Sequence, residues 1–315
     1  MESVHESAVM LCTIPSETPL SRLTAFPSEL DVFRLEQVFG YFPSLRVLTL
    51  HVPEYAAAWL FSRLDRQRLR ALVTIERVHV NVMNQNIDFM PPPNMLDDLR
   101  SISSVMTMTT AHAQYCTEDL GKRYRMSLHH LAVPIGPDQY RSPSHAEKES
   151  LVIFSPDDRD KNREVKRVLE DTIAGLESVE VRGLAYREYR RLLERARWTF
   201  TFGEGLDYYF VESVFSGGIA FAVFNDRFFT PEFASLETVY PSFEDLLANI
   251  AADVERLSEP AAFDACRRSQ LAILGGLFSV ERFRANLERF LRGDYTWPYD
   301  EPGGAELPTS TAPPE

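Results

Sequence analysis

The sequence predicts an α/β protein with two doubly wound, Rossmann-like domains, and two observations lead to this prediction. Short runs rich in β-branched and aromatic residues alternate with helical patterns along most of the 315 residues, which is typical of parallel sheets with helices on both faces. A polar, proline-containing stretch interrupts the alternation, and the chain is longer than one typical core. We therefore predict a short N-terminal domain over 1–140, a linker over 141–150 and a C-terminal domain over 151–292.

The N-terminal domain is predicted to alternate strands with helices. Apolar runs such as "LRVLTLHV" and "VTIERVHVNVM" have the composition of strands, and the segments between them have one-sided apolar periodicity. Strands that are separated by helices are expected to be parallel. The predicted strands are 45–52, 73–83, 104–110 and 128–136, and the predicted helices are 55–72, 94–102 and 113–124.

The C-terminal domain repeats the pattern and ends in a tail. Ser242 is placed to cap a helix over 242–257. After Arg292 the sequence has no basic residue and is rich in proline, glycine and acids, so 293–315 is predicted to be disordered. The other predicted elements are strands over 151–156, 178–184, 199–203 and 219–225, and helices over 162–174, 186–198 and 260–292.

Composition and charge exclude several classes of function. A net charge of −13 argues against a nucleic-acid partner, because such proteins usually present a cationic surface. The sequence has no apolar run of roughly 18 residues that could span a membrane and no basic leader followed by an apolar core, so we expect a soluble, cytoplasmic protein. Cys12, Cys116 and Cys266 lie far apart, and His129-His130 has no third ligand close in sequence. We therefore expect neither a disulfide framework nor a metal site.

The stretch "TFGEGLDYYFVESVFSGGIAF" at 201–221 is the strongest candidate for a binding site. In doubly wound sheets, ligands bind outside the carboxyl ends of the strands. Here a strand ends at Gly203, Glu204 lies just past its tip, and Gly205 lets the backbone approach a ligand without a Cβ in the way. A helix is predicted to begin near Tyr208, with Glu212 on its first turns. Two carboxylates in this arrangement suit the sugar and ribose hydroxyls of a nucleotide-diphosphate sugar, and the helix start suits its phosphates.

The same stretch resembles the E-x(7)-E signature of retaining glycosyltransferases with the GT-B fold, of the glycosyl transferases group 1 type. The residues that carry the resemblance are Glu204-Gly205, Glu212-Ser213 and Gly217-Gly218. The segments before and after them follow in the family's order. The resemblance covers roughly 105–292 and includes the Gly-x-Asp of the crossover segment, here Gly136 and Asp138.

The resemblance implies a role for each residue of the signature. Glu204 would hold hydroxyls of the donor sugar as a catalytic residue, and Glu212 would hold the ribose. Members of this family transfer with retention of configuration and usually need no metal. Their donor is a nucleotide-diphosphate sugar rather than a bound cofactor, and the acceptor is a carbohydrate or glycoconjugate, as in polysaccharide biosynthesis. The residues expected to line the nucleotide-sugar site are Gly205, Leu206, Asp207, Glu212 and Ser213.

Three further residues are candidates for the site. Asp207 stands where the family often has a glycine, and a diphosphate beside so many acids needs a cation, for which Arg159 and Lys161 are the candidates. His112 follows a predicted strand and is a candidate catalytic residue, although an ordinary N-cap or surface histidine would fit the same pattern. Glu204 and Glu212 also fit a plainer reading, as acids favoured near a helix start.

A second function fits the sequence. The first predicted domain is short, and its start, "AVMLCTIPSETPLSRL", lacks the Gly-rich first loop of the family. A non-catalytic relative that binds a nucleotide sugar or a glycan, acting as a partner or regulatory module, would share the same features. The sequence leaves the donor, the acceptor and the oligomeric state open.

Overall fold

A computed structural model describes residues 8–13 and 31–300 of the chain. Contacts between residues divide it into two compact units. Within the described residues, the first unit comprises 8–13, 33–131 and 286–300, and the second comprises 31–32 and 132–285. The second unit is thus inserted, in sequence, between two parts of the first.

The first unit is built on a four-stranded parallel sheet. The strands lie in the order β3-β4-β5-β6, which is also their order along the chain, and β1 pairs with β2 in a separate two-stranded sheet. The elements up to residue 131 are β1 (Leu11–Thr13), β2 (Val32–Arg34), α1 (Leu35–Tyr41), β3 (Val47–Pro53), α2 (Glu54–Ala57), α3 (Arg66–Val73), β4 (Arg77–Asn84), α4 (Asp97–Ile102), β5 (Val105–Thr110), α5 (Glu118–Tyr124) and β6 (Ser127–His130).

One face of this sheet is apolar and carries the core of the first unit. Val78, Val80 and Val82 alternate along β4 and are buried in one cluster with Leu72 of α3 and Leu99 of α4. Because successive right-handed crossovers run in the same direction, the helices between the strands all pack on this face. The burial of these aliphatic side chains is the main source of stability for the unit.

The opposite face of the sheet is polar and hydrogen-bonded across three strands, β3, β4 and β5. His79 Nε2 lies 2.8 Å from Thr107 Oγ1, which donates to Asn81 Oδ1 at 2.9 Å. Asn81 Nδ2 donates to Thr109 Oγ1 at 3.0 Å and lies 3.1 Å from His51 Nδ1. Because the amide nitrogen can only donate, His51 Nδ1 must accept, and the network holds this ring neutral.

The last part of the chain covers the polar face. Phe290 lies with its ring centroid 5.9 Å from that of His51, 5.6 Å from that of His79 and 5.8 Å from that of His129. His129 Nε2 lies 2.7 Å from the carbonyl oxygen of Asn286. Burial lowers the pKa of all three imidazoles, and that of His79 falls to about 4.

The second unit contains a five-stranded parallel sheet in the order β11-β10-β9-β7-β8. Its helices pack on both faces of this sheet. Val165 and Leu246 belong to the cluster on one face, and Tyr189 and Leu193 belong to the cluster on the other. The elements are β7 (Glu149–Phe154), α6 (Arg159–Thr172), β8 (Glu177–Glu180), α7 (Tyr186–Arg195), β9 (Ala196–Thr201), α8 (Tyr208–Phe215), β10 (Ile219–Val223), β11 (Val239–Tyr240), α9 (Phe243–Arg256) and α10 (Pro260–Leu277). They are followed by α11 (Val280–Arg292), whose residues from 286 onward belong to the first unit.

The predicted doubly wound α/β fold is confirmed, and the observed elements differ from the predicted ones in detail. The helical region predicted over 260–292 is two helices, α10 and α11. The strand predicted over 128–136 ends at His130. The segment 141–150, predicted as a linker, packs onto the second unit through Lys148. Its buried ammonium donates to the carbonyl oxygens of Leu193 at 2.8 Å and Ala196 at 2.9 Å, at the end of α7.

The tail predicted to be disordered from 293 is partly structured. Trp297 pairs with Leu128 of β6, with one backbone hydrogen bond of 2.8 Å and one of 2.9 Å. The Trp297 ring packs against Gly121, where any Cβ would collide with it. The composition of the tail suggested disorder, but its aromatic residues supply the apolar surface that docks the segment up to residue 300. The rest of the predicted tail, 301–315, lies outside the described residues.

Acidification is expected to destabilise the protein through His79. The folded-state pKa of about 4 lies below the unfolded value of 6.5, so the unfolded chain binds more protons between these values and stability falls as the pH drops. At pH 5 the loss from His79 is about 2 kcal/mol relative to pH 8. Urea unfolding at both pH values checks this, with His79→Asn as the comparison. An equal pH dependence in that variant would contradict the assignment.

Candidate functional site

The direction of winding in the second sheet reverses between β7 and β9. β8 lies beyond β7 on one side, and β10 and β11 lie beyond β9 on the other. In open α/β sheets, ligands bind outside the carboxyl ends of the strands at this reversal. Two loops meet there, 155–158 after β7 and 202–207 after β9. Thr201 Oγ1 lies 3.5 Å from Asp157 Oδ2, and a Cβ added at Gly203 would lie 3.0 Å from Asp157 Cβ.

Glu204 lies in the second of these loops, as the sequence predicts, and is half-buried. Gly205 adopts φ +83°, and a Cβ there would collide with the Phe229 ring. Both the turn and the packing against Phe229 therefore require glycine at this position. The close approach of its backbone to a ligand stays a prediction. Leu206 is buried in the cluster that contains Phe210, so its side chain is not available to a ligand.

Asp207 caps the helix that follows. Its Oδ1 accepts from the Phe210 backbone N–H at 3.0 Å, and its Oδ2 accepts from Thr201 Oγ1 at 2.6 Å. The start of α8 is therefore partly satisfied by the protein itself. Burial raises the pKa of Asp207 to about 7, against the two hydrogen bonds that lower it, and the charges of Asp157 and Glu204 add to the rise. The residue that departs from the family pattern thus has a structural role.

Glu212 lies on α8 and is only 2% exposed. Its Oε1 accepts hydrogen bonds from the hydroxyl of Tyr140 at 2.7 Å and from that of Tyr186 at 2.6 Å. Sequence reasoning missed both partners. Tyr186 begins the helix predicted over 186–198 and Tyr140 ends the predicted N-terminal domain, so neither position signals a contact with Glu212. Ser213 is buried against Gly218, where a Cβ would lie 3.0 Å from Ser213 Oγ.

The two candidate cations lie at the start of α6, directly after the 155–158 loop. Arg159 is exposed, with its Nε 3.9 Å from Glu180 Oε1. Lys161 Nζ lies 3.3 Å from Asp158 Oδ2 and 5.6 Å from the centroid of the Phe243 ring. Asp158 caps α6 as Asp207 caps α8, since it accepts from the Lys161 backbone N–H at 3.1 Å. Both cations are weakly paired surface groups, and their role with phosphate stays a prediction.

His112 belongs to the first unit and follows β5. Thr110 Oγ1 donates to its carbonyl oxygen at 2.5 Å, and its ring packs edge-on against Tyr115 at 6.4 Å between centroids. It begins a short 3-10 turn over Ala113–Tyr115. The structure places it at a strand end, where the sequence predicts it, and its catalytic role stays a prediction.

One strand, one loop and one helix of the second unit carry most of the predicted site. The residues that lie together on this segment are Glu204, Gly205, Leu206, Asp207, Glu212 and Ser213, with Arg159 and Lys161 on the neighbouring helix start. Among the described residues, no group of three or more histidine, cysteine or acidic side chains is arranged to hold a metal ion. Within the same residues, no helix is long and apolar enough to cross a membrane.

Two α/β units, each built on a parallel sheet with helices packed against it, define the GT-B fold class. The structure is similar to an alpha-glucosyltransferase in complex with UDP-glucose and DNA containing an abasic site, with a TM-score of 0.56 at 10% sequence identity over 86% of this chain and 89% of that chain. It is also similar to HepE from Anabaena in complex with UDP, with a TM-score of 0.50 at 9% identity over 79% of this chain and all of that one (100%).

These similarities establish the fold. No protein-family model matches the chain, and no curated protein matches its sequence. A second alpha-glucosyltransferase structure, in complex with UDP and DNA, has a TM-score of 0.55 at 10% identity over 86% of this chain and 89% of that chain. Because these neighbours are bound to DNA, the fold gives no support to excluding nucleic acid, and that exclusion rests on net charge alone.

Asp207→Asn is expected to stabilise the protein more at pH 8 than at pH 5. The folded pKa of about 7 lies above the ordinary aspartate value of 3.8, so the contribution of Asp207 to stability is present at low pH and is lost as the pH rises through 7. Asparagine keeps the helix cap and does not ionise. Thermal melts at both pH values check the difference.

Asp158, the aspartate that caps α6, provides the control for this experiment. Hydrogen bonds from Lys161 lower the pKa of Asp158, so its contribution is lost as the pH falls. Asp158→Asn should therefore destabilise at pH 8 and have less effect toward pH 4. The assignment is wrong if the two variants show the same pH dependence.

Proposed function

We propose that the protein is a glycosyltransferase that moves a sugar from a nucleotide-diphosphate donor to a carbohydrate or glycoconjugate acceptor, with retention of configuration. One observation carries the proposal. The loop that holds Glu204 follows the carboxyl end of β9, at the winding reversal of a GT-B-like sheet, and leads into α8, which holds Glu212. A ligand bound there by the general rule for such sheets would meet both carboxylates.

Each group has a chemical task in this proposal. Glu204 orients hydroxyls of the donor sugar, and Glu212 accepts from the ribose. The backbone after Gly205 lines the sugar and phosphate, and Arg159 and Lys161 offset the charge of the diphosphate. A diphosphate would otherwise be repelled by the acids of the two loops.

Asp207 reduces this repulsion in a pH-dependent way. With its pKa raised to about 7, its carboxyl is substantially protonated at neutral pH and carries less negative charge than an ordinary aspartate. Donor binding is therefore favoured on the acid side of neutrality. The same protonation leaves Asp207 able to cap α8 through its carbonyl oxygen.

The reaction needs no protein nucleophile in this proposal. The bond between the sugar and the nucleotide diphosphate breaks as an acceptor hydroxyl attacks on the same face, and the hydroxyl proton passes to the departing diphosphate. Catalysis then comes from stabilising the charge that develops on the departing diphosphate. His112 of the first unit is proposed to contact donor or acceptor at its strand end.

The capped helix starts favour a second candidate function. Asp158 and Asp207 occupy backbone N–H groups at the starts of α6 and α8, which are the groups that usually receive phosphate at such sites. A chain that binds a nucleotide sugar or glycan without transferring it would need fewer free N–H groups. We therefore retain a non-catalytic binding module as the alternative.

Donor turnover distinguishes the two functions. A thermal-shift and calorimetric screen with UDP, GDP, ADP and dTDP should find a nucleotide that raises the melting temperature, because it binds the folded state. The matching sugar nucleotides are then tested for hydrolysis and for transfer to mixed glycan acceptors. Binding without any turnover supports the non-catalytic module, and the absence of binding contradicts both.

Substitution of the two glutamates should separate binding from catalysis. Glu212→Ala should raise the Kd of the nucleoside diphosphate by about tenfold to a hundredfold, since it removes hydrogen bonds to a charged group. Glu204→Ala should lower kcat by about a hundredfold with a smaller change in Kd. Calorimetry and steady-state kinetics check both values. Glu244→Ala, at an exposed acid on α9, is the control, and equal, negligible effects of the first two variants would remove the assignment.

A further inference from the structure

The Glu212 carboxylate is held by two tyrosine hydroxyls that come from different parts of the second unit. Tyr140 lies in the segment before β7, and Tyr186 begins α7. Both donate to the same oxygen, Oε1, at 2.7 Å and 2.6 Å. These lengths are typical of charge-assisted O–H···O bonds. Burial, followed by the neighbouring Glu212 carboxylate, raises the pKa of both hydroxyls, so both stay protonated and can only donate to it.

Arg190 fixes the two tyrosines. Its guanidinium lies 4.0 Å from the centroid of the Tyr140 ring, and its Nη2 donates to the carbonyl oxygen of Gln139 at 2.7 Å. Its Nη1 lies 3.5 Å from the Tyr186 hydroxyl. A cation stacked on one ring and hydrogen-bonded beside it restricts how far either tyrosine can turn. We refer to Tyr140, Tyr186 and Arg190, which lie around Glu212, as the clamp.

The two tyrosines bond one carboxylate oxygen, Oε1, and the buried Tyr189 hydroxyl also lies beside the carboxylate, so acceptor capacity remains on Oε2. A carboxylate has about four lone-pair positions, and the tyrosines use those of Oε1. A freely rotating glutamate would lose side-chain entropy when it bound a ribose. A carboxylate already fixed by two tyrosine hydroxyls avoids most of that cost, which is how pre-organised groups gain affinity.

We propose that Tyr140 and Tyr186 are positioning residues that fix Glu212 for recognition of the ribose hydroxyls of the donor, with Arg190 as their support. This inference rests on the proposed function. It extends that function to residues outside the signature segment, 72 and 26 positions away from Glu212 in the sequence. The tyrosines act through Glu212 and do not touch the reacting atoms.

The test is a thermodynamic cycle that combines substitution of the tyrosines with removal of single ribose hydroxyls from the nucleotide. Calorimetry gives the Kd of the full chain for UDP, 2′-deoxy-UDP and 3′-deoxy-UDP, and the preference for UDP over the weaker deoxy nucleotide is the readout. The wild type is expected to prefer UDP by about tenfold, the value of one hydrogen bond to a charged group. Tyr140→Phe/Tyr186→Phe is expected to reduce this preference to less than about threefold.

Controls separate positioning from folding. Tyr209→Phe removes a hydroxyl from α8 and leaves both hydrogen bonds to Glu212 Oε1 in place, so its preference for UDP should equal that of the wild type. Melting temperatures verify that each variant is folded. Single variants show which tyrosine carries more of the effect.

Two outcomes would overturn the inference. If the double variant weakens UDP and both deoxy nucleotides by the same factor, the tyrosines have only a structural role. If it leaves every Kd unchanged, they have no role in recognition. Failure of the proposed function has a different signature, since the wild type itself would then bind neither UDP nor the GDP, ADP and dTDP of the first screen.

Discussion

The buried carboxylate of Glu212 imposes the strictest requirement in the second unit, namely that hydrogen bonds from the protein replace those from water. Taking the charge of Glu212 out of water costs several kcal/mol unless hydrogen bonds replace its hydration. The hydroxyls of Tyr140 and Tyr186 meet this requirement with two hydrogen bonds, and in doing so they join a loop, α7 and α8 around one atom. The loop that carries Glu204 leads directly into α8. Its position at the end of β9 therefore depends on the same set of contacts.

Much of the fold could be predicted from local pattern, and the limits are visible at particular residues. The start of α8 at Tyr208 follows from an aspartate placed before an apolar helical run. The helix predicted to extend to 198 ends at Arg195, because Trp198 pairs with two neighbouring strands and is fully buried. Strand pairing between distant segments overrides local helical periodicity at such positions.

The candidate site could be predicted only in its local part. The eight-residue spacing from Glu204 to Glu212 is present in the sequence, whereas the tyrosine partners depend on how three elements pack. A tyrosine on the packed face of a helix is usually an ordinary core residue, and its hydroxyl gives no periodic signal. Asp207 is a different case. An aspartate directly before an apolar helical run is a capping pattern in the sequence itself, whereas the burial that raises its pKa depends on the packing of the two loops.

The order of strands in the first unit has a consequence for biosynthesis. β3 to β6 can associate one after another as the ribosome releases them, since each new strand lies beside the previous one. The polar, histidine-bearing face of this sheet stays uncovered during that time, because Asn286 and Phe290 are translated only after the entire second unit. The sheet of the first unit is therefore covered on only one face through more than half of the chain's synthesis. The final turns of α11 then cover the other face.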